Sequence, residues 1–288
     1  MKSLKNFYII TNKHKDRERI MTKQICDYLQ NHGATYTVQY EEVAPAGHLP
    51  EREDDRIPED VECILVLGGD GTLLRAANQV MEREIPLLGI NLGNLGFLVE
   101  VDPEEIEQAL ERLMSGAYEM DSRIMLYGKI TRDGRKLAET RALNDIVMTR
   151  NGSLQIIHYD ISVNQKFLNR FSADGMILAT PTGSTGYNMS AGGPIIEPSA
   201  RLLALTPICP HTLNTRSIVL SPDDKVTLEI INDREGALQE AEVSFDGSYR
   251  YPLVVGDKLE VRVSRKVTHM IRLKEQNFLE VLHKKMSE

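Results

Sequence analysis

No stretch limits what this chain can fold into more than LVLGGDGTLLRAA, residues 65–77. An apolar run stops at Gly68 and Gly69, a carboxylate follows at Asp70, and apolar positions then return at helical spacing. A buried strand that turns through glycines into a helix leaves unpaired backbone N–H groups at the positive end of the helix dipole. That geometry suits a phosphate. The spacing is neither G-x-x-x-x-G-K-[ST] nor G-x-G-x-x-G. Asp70 is the member out of place, because a carboxylate repels phosphate. It makes sense if it holds a metal ion that the phosphate shares, or takes a proton from an attacking hydroxyl. The plainer alternative is an Asx-type hydrogen bond that merely stabilises the turn.

The rest of the chain supplies the frame for such a turn. Residues 7–11, 35–40, 61–67 and 85–90 read as short strands. Helical patterns follow the first, third and fourth, with Gly33 as one helix stop and Thr72 as a cap for the helix after the glycines. In 102–116, Asp102 fits an N-cap, Pro103 the first helical position, Glu104 and Glu105 the positive dipole end, and Gly116 the exit. Strands alternating with helices imply βαβ units and a parallel sheet with helices on both faces. Beyond residue 120 the rhythm becomes β-rich, with turns at Asp133-Gly134 and Asn164-Gln165. The expected architecture is an α/β N-terminal domain over residues 1–120 and a β-rich C-terminal domain over 121–274. A last helix, about 275–288, is expected to pack back on the first domain. The acidic, proline-containing run up to residue 60 reads as a solvated loop.

Composition excludes several classes. Net charge is −8, which argues against nucleic acid or an anionic membrane as the main partner. No apolar run is long enough to span a bilayer, and the N-terminus lacks the apolar length of a signal peptide. Cys26, Cys63 and Cys209 lie far apart without C-x-x-C spacing and read as reduced thiols of a cytoplasmic protein, Cys63 as a core residue. His158, His211 and His269 show no metal-ligand spacing and read as structural.

Two further glycine-rich stretches strengthen the ligand reading. NLGNLGF, residues 91–97, lies at the carboxyl end of the strand after the turn, the edge where open α/β sheets bind ligands. SADGMILATPTGSTGYNMSAGGPI, residues 172–195, packs small and hydroxyl residues around a strand-like core. Glycines there let a ligand approach the backbone closely.

In order, GGDGTLL, NLGNLGFL, LNDIV, SADGMILATPTGSTGYNMSAGGPII and SFDGS resemble the signature set of the bacterial NAD kinases, over residues 61–282 or so. GGDGT also occurs in diacylglycerol and sphingosine kinases and in 6-phosphofructokinases; the TPTGST-[AG]-Y…SAGGPI block discriminates better. The resemblance implies phosphoryl transfer from ATP, or in some members inorganic polyphosphate, to the 2′-hydroxyl of the adenosine ribose of NAD. Mg²⁺ or another divalent cation is implied with it, with no protein ligand assigned beyond help from Asp70.

By the same resemblance, Asp70 matches the catalytic aspartate that accepts the hydroxyl proton, and Gly71 a position lying against the nucleotide. Arg75 matches a position that contacts phosphate in many members; its alternative is a solvated surface arginine. Asn144 matches the asparagine that holds the adenine and ribose end. Asp145 stands where glutamate is usual, so its carboxylate reaches one methylene less. Asp174 matches the aspartate that binds the nicotinamide carboxamide. Thr185, Gly186, Tyr187, Asn188, Met189 and Ser190 fall in the stretch lining the dinucleotide site, with Gly186 where alanine is common. The expected partners are NAD and ATP in a cleft between two domains, with a homodimer or homotetramer as the assembly. The competing readings are a lipid kinase, an NAD-sensing protein without catalysis and a sugar-phosphate kinase. The acidic surface disfavours the first, the retained Asp70 the second, and the scarcity of cations near the motifs the third.

Overall fold

A computed structural model describes residues 1–41, 57–93, 96–152, 155–211, 215–232, 239–274 and 278–287. These residues fall into two compact units, one from 1–41, 57–123 and 267–287 and one from 124–266. Most of the stretch expected to be an acidic loop, residues 42–56, lies outside the described residues.

The first unit is built as β1 (Asn6–Asn12), α1 (Ile20–Asn31), β2 (Thr35–Glu41), β3 (Cys63–Gly68), α2 (Asp70–Gln79), β4 (Leu87–Asn91) and α3 (Ile106–Ser115). Its strands are parallel in the order β2-β1-β3-β4. Every residue of β3 and β4 is buried, as expected of parallel strands covered on both faces, while β2 at the edge alternates and is partly exposed. Phe7, Ile9, Leu65, Leu67, Leu88 and Ile90 share a core with Ile25 and Leu29 of α1 and Ile106, Leu110 and Leu113 of α3. Each fully buried side chain of this size contributes about 2 kcal/mol, so this apolar set fixes the layering. Cys63 belongs to the same core, and burial pushes its thiol pKa up.

Local punctuation follows the sequence with two refinements. Residues 103–105 form a 3₁₀ turn that leads into α3, with the Asp102 N–H donating to the Glu105 carboxylate at 3.3 Å. Gly116 ends α3 at φ 79°, and a Cβ there would strike the Met1 carbonyl at 2.4 Å. The start of α2 differs from expectation. The helix begins at Asp70 with Gly69 as its cap residue, so Thr72 sits inside the first turn. Its hydroxyl folds back over Gly68, where a Cβ would meet it at 2.4 Å, and accepts from the Asn12 amide at 3.3 Å.

β5 (Glu119–Arg132) leads the chain into the second unit. There follow β6 (Arg135–Ala142), β7 (Asp145–Arg150), β8 (Ile157–Val163), β9 (Lys166–Ala173), β10 (Gly175–Ala179), the short α4 (Tyr187–Ser190), β11 (Leu203–Ile208), β12 (Ile218–Leu220), β13 (Val226–Ile230), β14 (Glu240–Phe245), β15 (Tyr249–Val254) and β16 (Lys258–Arg272). Among the described residues, β12-β11-β10-β7-β14-β15 form one antiparallel sheet. β8 and β13, with the first half of β16 and β9 as neighbours, form another antiparallel set. Asp133-Gly134 and Asn164-Gln165 turn with φ of 49°, 76°, 51° and 65°. Those values suit the tight hairpins read from the sequence. The core joins Ile146, Met148 and Leu178 with Tyr159, Ile161 and Leu228.

From Val267 the chain is back in the first unit, where Met270 pairs in parallel with Leu87. There α5 (Phe278–Met286) places the Phe278 ring 6.3 Å from that of Phe97 and the Lys285 ammonium 5.7 Å from the Phe97 centroid. This is an α/β domain with parallel strands and an antiparallel, β-rich domain, the fold class that the sequence predicts.

Candidate active site

In the first unit, the strand-glycine-helix turn holds its carboxylate with backbone from a distant segment. Asp70 Oδ2 accepts the Phe97 N–H at 2.9 Å and Oδ1 accepts the Leu98 N–H at 3.1 Å. These donors lie 27 and 28 residues away, so the side chain is fixed by the stretch after β4 and not by its own turn. Gly96 makes room for it, because a Cβ at that position would stand 2.0 Å from Asp70 Oδ1. Each oxygen keeps a lone pair for a further partner. Gly71 is exposed in the first turn of α2.

Arg75, one turn on, is engaged elsewhere. Its guanidinium makes a two-bond pair with Glu41 of β2, through Nε to Oε1 and through Nη2 to Oε2 at 2.9 Å. It is thus neither a freely solvated arginine nor aimed at the turn alone. A cation that the motifs do not contain stands closer to the glycines. Lys15, in the β1–α1 loop, brings its Nζ to 2.7 Å from where a Cβ of Gly69 would be, and to 3.2 Å from that of Gly93.

In the second unit, the residues matched to nucleotide binding gather around the start of β7. The Asp246 carboxylate accepts the N–H of Leu143 at 2.8 Å, of Asn144 at 2.8 Å and of Asp145 at 3.1 Å. Asp246 itself turns at φ 48°, a conformation that aspartate tolerates better than most residues. Thr180 ties the other side, donating its hydroxyl to the Leu143 carbonyl at 2.6 Å and its N–H to the Asn144 carbonyl at 2.9 Å. Among the described residues the buried Asn144 Oδ1 has no hydrogen-bond partner, an orphan that native structures rarely leave without a reason. Gly186 lies beside both side chains, its Cβ position 3.6 Å from Asn144 Nδ2 and 3.9 Å from Asp145 Oδ2.

Asp145 is buried, and its carboxyl pKa is pushed up to about 7, first by burial and then by the neighbouring Asp246 charge. The folded state therefore holds this proton more tightly than the unfolded chain. Stability from this group is full below about pH 4 and is lost as pH rises toward 7, at roughly 1.4 kcal/mol per pKa unit of separation. Asp145→Asn removes that loss. Urea midpoints taken from pH 4 to 8 are expected to decline less in the variant than in the parent, and parallel curves would contradict this.

The remaining matched residues divide by direction. Tyr187 and Met189 are 46 % and 40 % exposed, Ser190 is exposed, and Thr185 is half-buried. Asn188, which the motif groups with the ligand-lining stretch, points inward instead. Its amide donates to the Ser184 and Pro194 carbonyls at 3.1 and 3.0 Å and accepts from Thr206 at 2.7 Å, so both of its N–H bonds are spent on the loop. Asp174 pairs with Arg150 at 3.0 Å and is half-buried.

Two of the three histidines bond nearby hydroxyls, His158 that of Ser172 at 2.7 Å and His269 that of Ser122 at 3.0 Å. Among the described residues, no group of three His, Cys, Asp or Glu could hold a metal ion. No helix of the described residues is long and apolar enough to cross a membrane. The sequence reading assigned nothing to Asp246 or Lys15. The Asp-Gly turn of SFDGS was a signal for the first; for the second the signal was a lysine at the carboxyl end of a parallel strand, the ligand edge of such sheets.

The sequence as a whole matches a known group. The ATP-NAD kinase N-terminal domain profile matches residues 7–118 and the ATP-NAD kinase C-terminal domain profile residues 143–273. The chain belongs to the ATP-NAD kinase family. A relative from Agathobacter rectalis, named NAD kinase, is 46 % identical over 286 residues, covering 98 % of this chain and 99 % of its own. The yeast NADH kinase solved with NADH superposes with a TM-score of 0.87 at 25 % identity, over all of this chain and 89 % of the other. An NAD kinase from Archaeoglobus fulgidus solved with ATP shares the fold, with a TM-score of 0.76 at 24 % identity over 98 % of this chain and 99 % of the other.

Proposed function

We propose that the chain is an NAD kinase, transferring the terminal phosphoryl group of ATP to the 2′-hydroxyl of the adenosine ribose of NAD to give NADP. The observation that carries this reading is the Asp70 carboxylate, gripped by the Phe97 and Leu98 N–H groups at the first residue of α2. A carboxylate fixed at a phosphate-binding helix start suits a site where a proton must leave the attacking hydroxyl. The 2′-oxygen loses its proton to Asp70 and bonds to the γ-phosphorus, the bond from that phosphorus to the β,γ-bridging oxygen breaks, and ADP departs. Orienting the hydroxyl and neutralising the phosphates contribute more to this step than basicity does.

Asn144 and Asp145 hold the adenosine end, the orphaned Asn144 Oδ1 accepting from it. Asp174 takes the carboxamide, and Thr185, Gly186, Tyr187, Met189 and Ser190 line the dinucleotide, Tyr187 with its exposed ring face. Gly71 lies against the nucleotide. Mg²⁺ keeps most of its waters and needs only one or two carboxylates besides substrate phosphates. Asp70, with a lone pair left on each oxygen, fits that demand. Mg²⁺ then supplies charge neutralisation for the donor. Polyphosphate as donor, a homodimer or homotetramer as assembly and the cytoplasm as location belong to the same reading.

The test is NADP formation by the purified chain from NAD, ATP and Mg²⁺, with polyphosphate in a parallel arm. Turnover in either arm is the expected result. A protein that binds NAD and makes no NADP with either donor refutes the reading and leaves an NAD-sensing protein.

A further inference from the structure

The phosphate side of the turn needs positive charge, and the motif cations do not supply it freely. Arg75 gives its fork to Glu41, two bonds deep. Lys15 comes from the other direction, out of the loop that follows β1. Its backbone is pinned on both sides. The Asn12 carboxamide, itself buried, accepts the N–H of His14 at 3.0 Å and of Lys15 at 3.3 Å. The next residue, Asp16, is 6 % exposed and accepts from the Thr22 N–H at 2.9 Å and hydroxyl at 2.6 Å, fastening the loop to α1. Between these anchors the Lys15 side chain crosses to the glycine turn. Its ammonium takes the space where side chains of residues 69 and 93 would begin. Any residue other than glycine at 69 would push it away. Among the described residues, no carboxylate pairs with Lys15.

We infer that Lys15 is a catalytic residue of this site, its ammonium meeting the donor's transferring phosphoryl oxygens above Gly69. The inference rests on the kinase reading above. Lys15 approaches from the β1 side, over the glycine that directly precedes Asp70 in the chain. A compact ammonium serves here as a point charge for oxygens whose negative charge is shared among three positions in the transition state. Glycines at 69 and 93 are what let it lie at backbone level.

The test compares the full chain with Lys15→Met, which keeps the stem and removes the charge, and with Lys15→Arg. Lys15 is exposed, so neither variant disturbs a core. With ATP and Mg²⁺, kcat/KM for ATP is expected to fall about 100-fold in Lys15→Met, the scale of losing one group that stabilises developing charge. KM for NAD stays within about twofold, and Lys15→Arg recovers about tenfold of the loss. Calorimetric titration with sodium tripolyphosphate, without NAD, is expected to show about tenfold weaker binding in Lys15→Met. If the parent makes NADP and Lys15→Met matches it, the lysine is a bystander and the kinase reading stands. If the parent makes no NADP, the kinase reading fails, and equal tripolyphosphate affinity in parent and variant then overturns the phosphate role as well.

Discussion

Asp70→Asn is expected to lower kcat for NADP formation about a thousandfold, within the range lost when a positioned proton acceptor is removed, while NAD affinity stays unchanged. The two oxygens of Asp70 accept one N–H each, from Phe97 and Leu98. An asparagine offers one acceptor and one donor to those same two donors, so one bond is lost at a cost of about 1 kcal/mol. That is too little to unfold the chain, and the missing proton acceptor is then the reason for the lost rate. Rates at saturating NAD and ATP, with an NAD titration of the same preparation, make the check. A loss smaller than tenfold would mean the carboxylate only anchors the backbone at Phe97 and Leu98.

Gly183→Ala is expected to cost about 3 kcal/mol of stability, the upper range for forcing atoms into a packed site, and to weaken NAD binding at least tenfold. A Cβ at Gly183 would stand 2.1 Å from the Asn144 carbonyl oxygen and 2.4 Å from its carbon, both backbone. Neither can rotate aside, and both are already tied. The Asn144 carbonyl accepts from Thr180, and the Asn144 N–H is held by Asp246. Relief requires moving residues 143–145 as a block, which displaces Asn144 and Asp145 together. Gly186→Ala is the control three residues on. Its φ is −92°, and the nearest atom to a new methyl is the Gly183 carbonyl oxygen at 3.3 Å. Urea midpoints and NAD titrations of both variants decide it. If the two behave alike, the turn yields more easily than its contacts indicate.

The fold was legible where one residue pattern has one physical meaning. Cys63 to Gly68 is apolar throughout because both faces are covered, and Asp133-Gly134 can only be a tight turn. The start of α2 was not, because Gly69 caps it without a side chain and Thr72, the better cap by type, bends back toward Asn12. The candidate site was drawn from motifs that keep their residues contiguous. Lys15 stands 55 residues before Asp70 in sequence, and proximity of that kind depends on β1 and β3 being neighbours, which no local pattern states. Arg75 and Asn188 show the opposite failure. Each sits inside a motif, yet Arg75 gives two bonds to Glu41 outside it, and Asn188 donates to its own loop at Ser184 and Pro194 while its Oδ1 accepts from Thr206.

The return of the chain to the first unit after residue 266 bears on how the molecule is made. Ile271 and Leu273 belong to the same apolar core as Ile90 and Val101, and Met270 pairs with Leu87. During synthesis, β4 and its neighbours are complete long before these partners leave the ribosome. The first unit must wait, with part of its core uncovered and a strand edge open, while all 143 residues of 124–266 are added. The second unit has no such debt, since its own core runs from Leu126 to Val261. The order of emergence and the order of completion are therefore reversed: the half that carries Asp70 is begun first and finished last.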